Sequence, residues 1–131
     1  MLSANLKKFW YQNDIPQIVH ELDKIKASIL YLPHETDYHQ DHYKAFQVGK
    51  AVSRNNKMTM MAYLTPTSYN YYPNAFKEIN LDDKLNLIRC FKTQAERRPD
   101  YLVTMKAQHK FFGALIGVEH AEGFIFHRMI L

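Results

Sequence analysis

The spacing of apolar positions divides the chain into alternating helical and extended segments. Ile15, Ile18, Val19, Leu22 and Ile25 recur at helical intervals, so residues 15–27 read as an amphipathic helix, with Asp14 as its cap and Pro16 suited to its first turn. SILYL (28–32) is short and almost wholly apolar, the pattern of a strand covered on both faces. Pro33 ends it. From about Asp41 to Arg54 the helical period returns in Ala45, Phe46, Val48, Ala51 and Val52. KMTMMAYL (57–64) reads as a second buried strand with Met58, Met60 and Met61 in the core. TPTSYNYYPN (65–74) is a loop, and AFKEI (75–79) a short strand. Asn80 caps a helix running to about Ala95, with Asp82 and Asp83 where the helix dipole favours anions. Pro99-Asp100 opens another helix ending near Gly113, and GFIFHRMI (123–130) is a final strand. Residues 1–13 read as an exposed lead-in with Phe9, Trp10 and Tyr11 as a packing patch.

Strands alternating with helices predict an α/β domain with a parallel or mixed sheet. Ligands bind at the carboxyl ends of strands in such sheets. The segment after SILYL, "PHETDYHQDH", occupies that place and packs His34, Glu35, Asp37, His39, Asp41 and His42 into nine residues.

Composition narrows the picture modestly. At 131 residues the chain is one domain's worth, 1–131. The net charge of +4 comes from scattered basic residues, with only Arg97-Arg98 and Lys7-Lys8 adjacent, so nucleic acid is not an expected partner. The single cysteine excludes an internal disulfide and suits a reducing compartment. Ile88 and Phe91 place Cys90 on a buried helical face as an inert thiol. No apolar run approaches a membrane span, and MLSANLKKFW lacks a signal peptide's hydrophobic stretch, so the expected location is the cytoplasm.

His39, Asp41 and His42 form an H-x-D-H pattern at a strand-to-helix junction. Imidazole is a good zinc ligand, and a carboxylate bonded to a histidine sets its tautomer. His39 and His42, three apart, flank one small volume if a helical turn begins there. On the residues alone, a histidine site and a plain polar turn both remain open. A self-contained metal site from His34, Asp37, His39 and His42 is the less favoured arrangement, because one tight loop shapes a tetrahedron poorly.

"DYHQDH" (37–42), "NAFKEI" (74–79), "LIRCFKTQ" (87–94) and "GVEHAEGF" (117–124) occur in that order and together resemble the carboxyl-terminal half of the LmbE/PIG-L family, zinc-dependent N-acetylglucosaminyl deacetylases. The matches span about Asp14 to Phe126. The resemblance implies a Rossmann-like sheet flanked by helices. It makes His42 a zinc ligand, His39 the group that stabilises the oxyanion or protonates the leaving amine, and Asp41 the carboxylate that orients His39. It implies an N-acetylglucosamine-bearing sugar conjugate as the small-molecule substrate.

The family's P-H-P-D-D-E motif, which holds the other two ligands and the general base, has no counterpart; "LPHETD" (32–37) lies in the wrong place. The chain is therefore expected to lack the family's first β-α-β portion and to have little activity alone. The rival expectation is a catalytically inactive relative that binds a sugar or a partner. An exposed sheet edge would then be covered by a homo-oligomer or by a separate amino-terminal half.

Among the remaining residues, His20 reads as surface, and His109, His120 and His127 as structural, as do Glu119 and Glu122. Tyr69, Tyr71 and Tyr72 read equally as a sugar-stacking platform or a contact rim.

Overall fold

In a computed structural model the described residues are 15–55, 57–97 and 100–130. The 1–13 lead-in, its aromatic patch, the Asp14 cap and Pro99 lie outside them. The elements are helix α1 (residues 15–24), β1 (Ile29–Pro33), α2 (Gln40–Asn55), β2 (Thr59–Tyr63), β3 (Ala75–Glu78), α3 (Leu81–Arg89), α4 (Lys92–Arg97), α5 (Tyr101–Ile116) and β4 (Ala121–Arg128). The four strands lie in the order β1-β2-β4-β3. β1 and β2 are parallel and β3 and β4 antiparallel, so the expected α/β class is realised with a mixed sheet of Rossmann-like kind. No helix among the described residues is long and apolar enough to cross a membrane.

Two compact units divide the chain: residues 1–71 with 126–131, and residues 72–125. In the first, α2 connects the parallel strands. Ile29 stands opposite Thr59 and Pro33 opposite Tyr63, so both strands end at the same level and the segments that follow them emerge side by side. Leu32, Phe46 and Met60 form the core, with Leu30 packed against it. Met58, Met60 and Met61 are buried, as their pattern predicts. The expectation that β1 is covered on both faces fails: Ile29 is 45% and Tyr31 52% exposed, because β1 lies at the sheet's edge. Helix α1 stops at residue 24 rather than at the expected 27, because the chain turns at Lys26 with φ 51°; its stripe is part-open, Ile18 being exposed, and Ile25 lies exposed just beyond it.

In the second unit Asn80 caps α3 as expected, its side chain accepting from the Asp83 N–H at 3.1 Å. The single helix expected over 80–95 is broken, however. The N–H groups of Cys90 and Phe91 turn to the i−3 carbonyls of Leu87 and Ile88, which tightens and ends α3, and α4 restarts at Lys92. That break leaves Cys90 exposed rather than buried.

α5 passes through Gly113 instead of stopping there. Gly113 is a packing position, where a Cβ would lie 2.7 Å from the Glu119 carbonyl oxygen. Gly117 is the terminator, with φ 77° in the left-handed region. β4 starts two residues before the expected position, since Ala121 and Glu122 pair with Glu78 and Lys77.

Candidate functional site

Asp37 organises the loop after β1. Its side chain is fully buried. One carboxylate oxygen accepts from the His39 N–H at 2.8 Å and the Thr67 hydroxyl at 2.6 Å. The other accepts from the Thr65 hydroxyl, from Ser68 at 3.3 Å and from His42 Nδ1 at 3.0 Å. The hydroxyls come from the TPTS turn directly after β2, which the level strand ends bring alongside, and an isolated antiparallel bridge joins Asp37 to Ser68. Burial alone would raise the Asp37 pKa, but the bonds from Thr65, Thr67, the His39 N–H and His42 outweigh it and hold the carboxyl below its usual range. The ionised carboxylate in turn joins burial in pushing the Tyr63 phenol up.

These contacts decide the tautomers of the two sequence-predicted histidines. An ionised carboxylate only accepts, so His42 carries its proton on Nδ1 and bares a lone pair at Nε2. The Asp41 N–H donates to His39 Nδ1 at 3.2 Å, so neutral His39 carries its proton on Nε2. The start of α2 at Gln40 sets the residues three apart across its first turn, with ring centroids 4.7 Å apart. The pair therefore offers one lone pair and one N–H donor from the same short segment. His39 is exposed and the His42 side chain 37% exposed, so both reach solvent.

The Asp41 carboxylate does not take the orienting role. It is 68% exposed and lies 3.7 Å from Lys44 one turn on, and its link to His39 runs through the backbone N–H. In this loop the carboxylate that pairs with a histidine is that of Asp37, with His42. His42 fits as one zinc ligand through Nε2, but a catalytic zinc takes three protein ligands, and no group of three among the described residues includes it.

The group of three that does form is His34, Glu35 and His127, one ligand atom of each lying within 4.8 Å of the others. His127, expected to be structural, belongs to it. His34 Nδ1 lies 2.6 Å from Thr36 Oγ1, and its ring meets Tyr71 edge-on at 5.0 Å. The His127 ring lies 5.9 Å from that of His34 and 5.1 Å from Phe46. Burial lowers the pKa of both imidazoles; His127 adds to the effect on His34, and Lys50 to that on His127, while Glu35 opposes both.

His20 is exposed as expected, and Glu122 pairs with Lys84. The Tyr71 hydroxyl donates to the Ala62 carbonyl at 3.0 Å, whereas Tyr69 and Tyr72 are exposed.

No protein-family model matches the chain. Among solved structures it is similar to that of the conserved protein TT1542 from Thermus thermophilus, with a TM-score of 0.78 and 18% identity. The match covers 92% of this chain and 60% of that one, so the chain spans well under two thirds of the length of the protein it resembles, and the likeness carries the fold alone.

Proposed function

We propose that this domain carries the H-x-D-H half of a metal-dependent N-deacetylase, an amide hydrolase acting on N-acetylglucosamine-bearing sugar conjugates with zinc as its cation. The observation that supports it is the complementary pair of tautomers at His42 and His39. His42 would hold the cation through Nε2, its ring fixed by the buried Asp37 carboxylate. When bound, such a cation supplies charge that polarises an acetamide carbonyl and acidifies water. His39 presents an N–H from Nε2 to the oxygen on which negative charge develops. In its protonated form the same ring delivers a proton to the departing amine. The Asp37 network keeps the His42 ring from rotating without taking a proton itself. The remaining ligands and the base that activates water would come from a separate amino-terminal half carried on a second chain. The lone cysteine fits a reducing, cytoplasmic setting.

Acetate release from an N-acetylglucosamine conjugate by the purified chain with added zinc tests this. Weak turnover is expected, abolished in His39→Ala and His42→Ala. Turnover that survives both substitutions would refute the assignment.

A catalytically inactive sugar- or partner-binding relative is the second reading, supported by the exposed rings of Tyr38, Tyr43 and Tyr69 around the same loop. It expects saturable, metal-independent binding of the sugar conjugate, weakened by Tyr38→Ala or Tyr69→Ala, with no acetate released.

A further inference from the structure

His127 Nε2 is buried and has no hydrogen-bond partner. Buried polar atoms are almost always paired, so one left bare beside another imidazole and a carboxylate calls for a physical account. His109 Nε2 is also buried and unpaired, but His109 belongs to no group of three ligands among the described residues.

The His34 ring is set in a complementary way. Thr36 Oγ1 has a single proton and gives it to the Tyr69 carbonyl. At the 2.6 Å contact with His34 Nδ1 the hydroxyl therefore accepts, the imidazole carries its proton on Nδ1, and its Nε2 keeps the lone pair. The Thr36 N–H approaches the same nitrogen at 3.3 Å, a longer and weaker contact. A ligating histidine is held in this way, with one nitrogen tied to a neighbouring oxygen and the other bare. His34 is buried at 5% exposure, whereas Glu35 is exposed, which leaves a route for an ion to enter.

We propose that His34, Glu35 and His127 form a binding site for a first-row divalent transition cation, with a coordination position left open to solvent. Two imidazoles and one carboxylate suit zinc and its neighbours better than calcium or magnesium, which take oxygen ligands. Bonds of about 2.1 Å in a tetrahedron put ligand atoms about 3.4 Å apart. Reaching that from the present limit of 4.8 Å would take a rotamer change of the solvent-exposed Glu35 and an adjustment of the two imidazole rings on binding. The ligands come from two separated segments, the turn after β1 and strand β4, and the cation would tie them together across the end of β2. Neither His39 nor His42 is among them.

The experiment is titration of the chelator-treated full chain with cobalt(II), followed by its visible d–d absorption, and with zinc by calorimetry. One cobalt per chain is expected, displaced by zinc. Glu35→Gln and His127→Gln should each weaken binding by about 100-fold or more, and Thr36→Val, which frees the His34 ring, by about tenfold. If circular dichroism shows His127→Gln unfolded, Glu35→Gln carries the test, since its side chain is exposed. A folded wild-type chain that takes up no cobalt would overturn the proposal. So would unchanged affinity in Glu35→Gln, or binding abolished by His42→Gln but not by the two ligand substitutions.

Discussion

The Asp37 carboxylate and the His42 imidazole meet at 3.0 Å, the first wholly buried and the second more than one third exposed. The asymmetry separates structure from chemistry within one pair. Asp37 joins the loop after β1 to the turn after β2, while His42 turns its other nitrogen outward.

Asp37→Asn should therefore cost much more stability than His42→Ala. An amide has only one acceptor oxygen and would face three hydroxyls, an N–H and an imidazole with it, leaving buried donors unpaired. A loss of about 3 kcal/mol is expected for Asp37→Asn and about 1 kcal/mol for His42→Ala. Urea unfolding of the two variants beside the parent measures both, and equal losses would show that Asp37 is not the hub.

The tautomers are directly observable. Long-range nitrogen–proton correlation spectra at neutral pH should show His42 protonated on Nδ1 and His39 on Nε2. In Asp37→Asn the His42 preference should relax towards the Nε2–H form common in solution, while His39 keeps its own, because its partner is the Asp41 backbone. The same tautomer on both rings in the parent would remove the basis for giving them different tasks.

The limits of what the sequence discloses follow from where each partner sits. The run SILYL identifies β1, yet an apolar edge strand and an apolar central strand read alike, so the exposure of Ile29 and Tyr31 was not visible. The three-residue spacing of His39 and His42 discloses their proximity, because it depends only on a helical turn. The role of Asp37 was hidden: its hydroxyl partners lie 28, 30 and 31 residues onward and arrive only through the register of β1 on β2. An alignment of strand ends, applied to TPTS as well as to the histidine loop, is the signal that would have found it. The grouping of His127 was hidden for the same reason, its two companions lying 93 and 92 residues earlier. The break between α3 and α4 turns on two N–H groups choosing nearer carbonyls, which no periodicity records.

Helix α2 approaches β1 closely at Gly49, where a Cβ would lie 2.3 Å from Leu32 Cδ1 and 2.9 Å from its Cγ. Alanine gains about 1 kcal/mol over glycine inside a helix, while overfilling a packed core costs about 1–3 kcal/mol. Leu32 is buried against Phe46 and Met60 and has little room to yield, so the clash wins and Gly49→Ala should lose about 1 kcal/mol. In a Leu32→Ala background the same substitution should become neutral or stabilising. A double-mutant cycle with a coupling near zero would mean that the two positions do not touch.

His109 makes the second unit sensitive to acid. It lies on α5 at 3% exposure, and its Nδ1–H donates to the Ala121 carbonyl at 3.1 Å. Burial lowers its pKa below the ordinary 6.5, with Lys84 on α3 and nearby His120 adding to the effect, while the Ala121 carbonyl and Glu122 on β4 oppose it. Between the folded and unfolded values the unfolded chain holds more protons, so stability rises with pH across that interval. The contribution is complete above about 6.5 and is lost as pH falls below it, at no more than about 1.4 kcal/mol per pH unit for one proton. His109→Asn keeps a donor for Ala121 and removes the titration. Urea unfolding at pH 7.5, 6.5 and 5.5 should show parent and variant diverging least in slope above 6.5, with the parent losing stability faster below it. Histidines common to both proteins cancel in that difference, so parallel curves down to pH 5.5 would show that His109 takes up its proton as readily folded as unfolded.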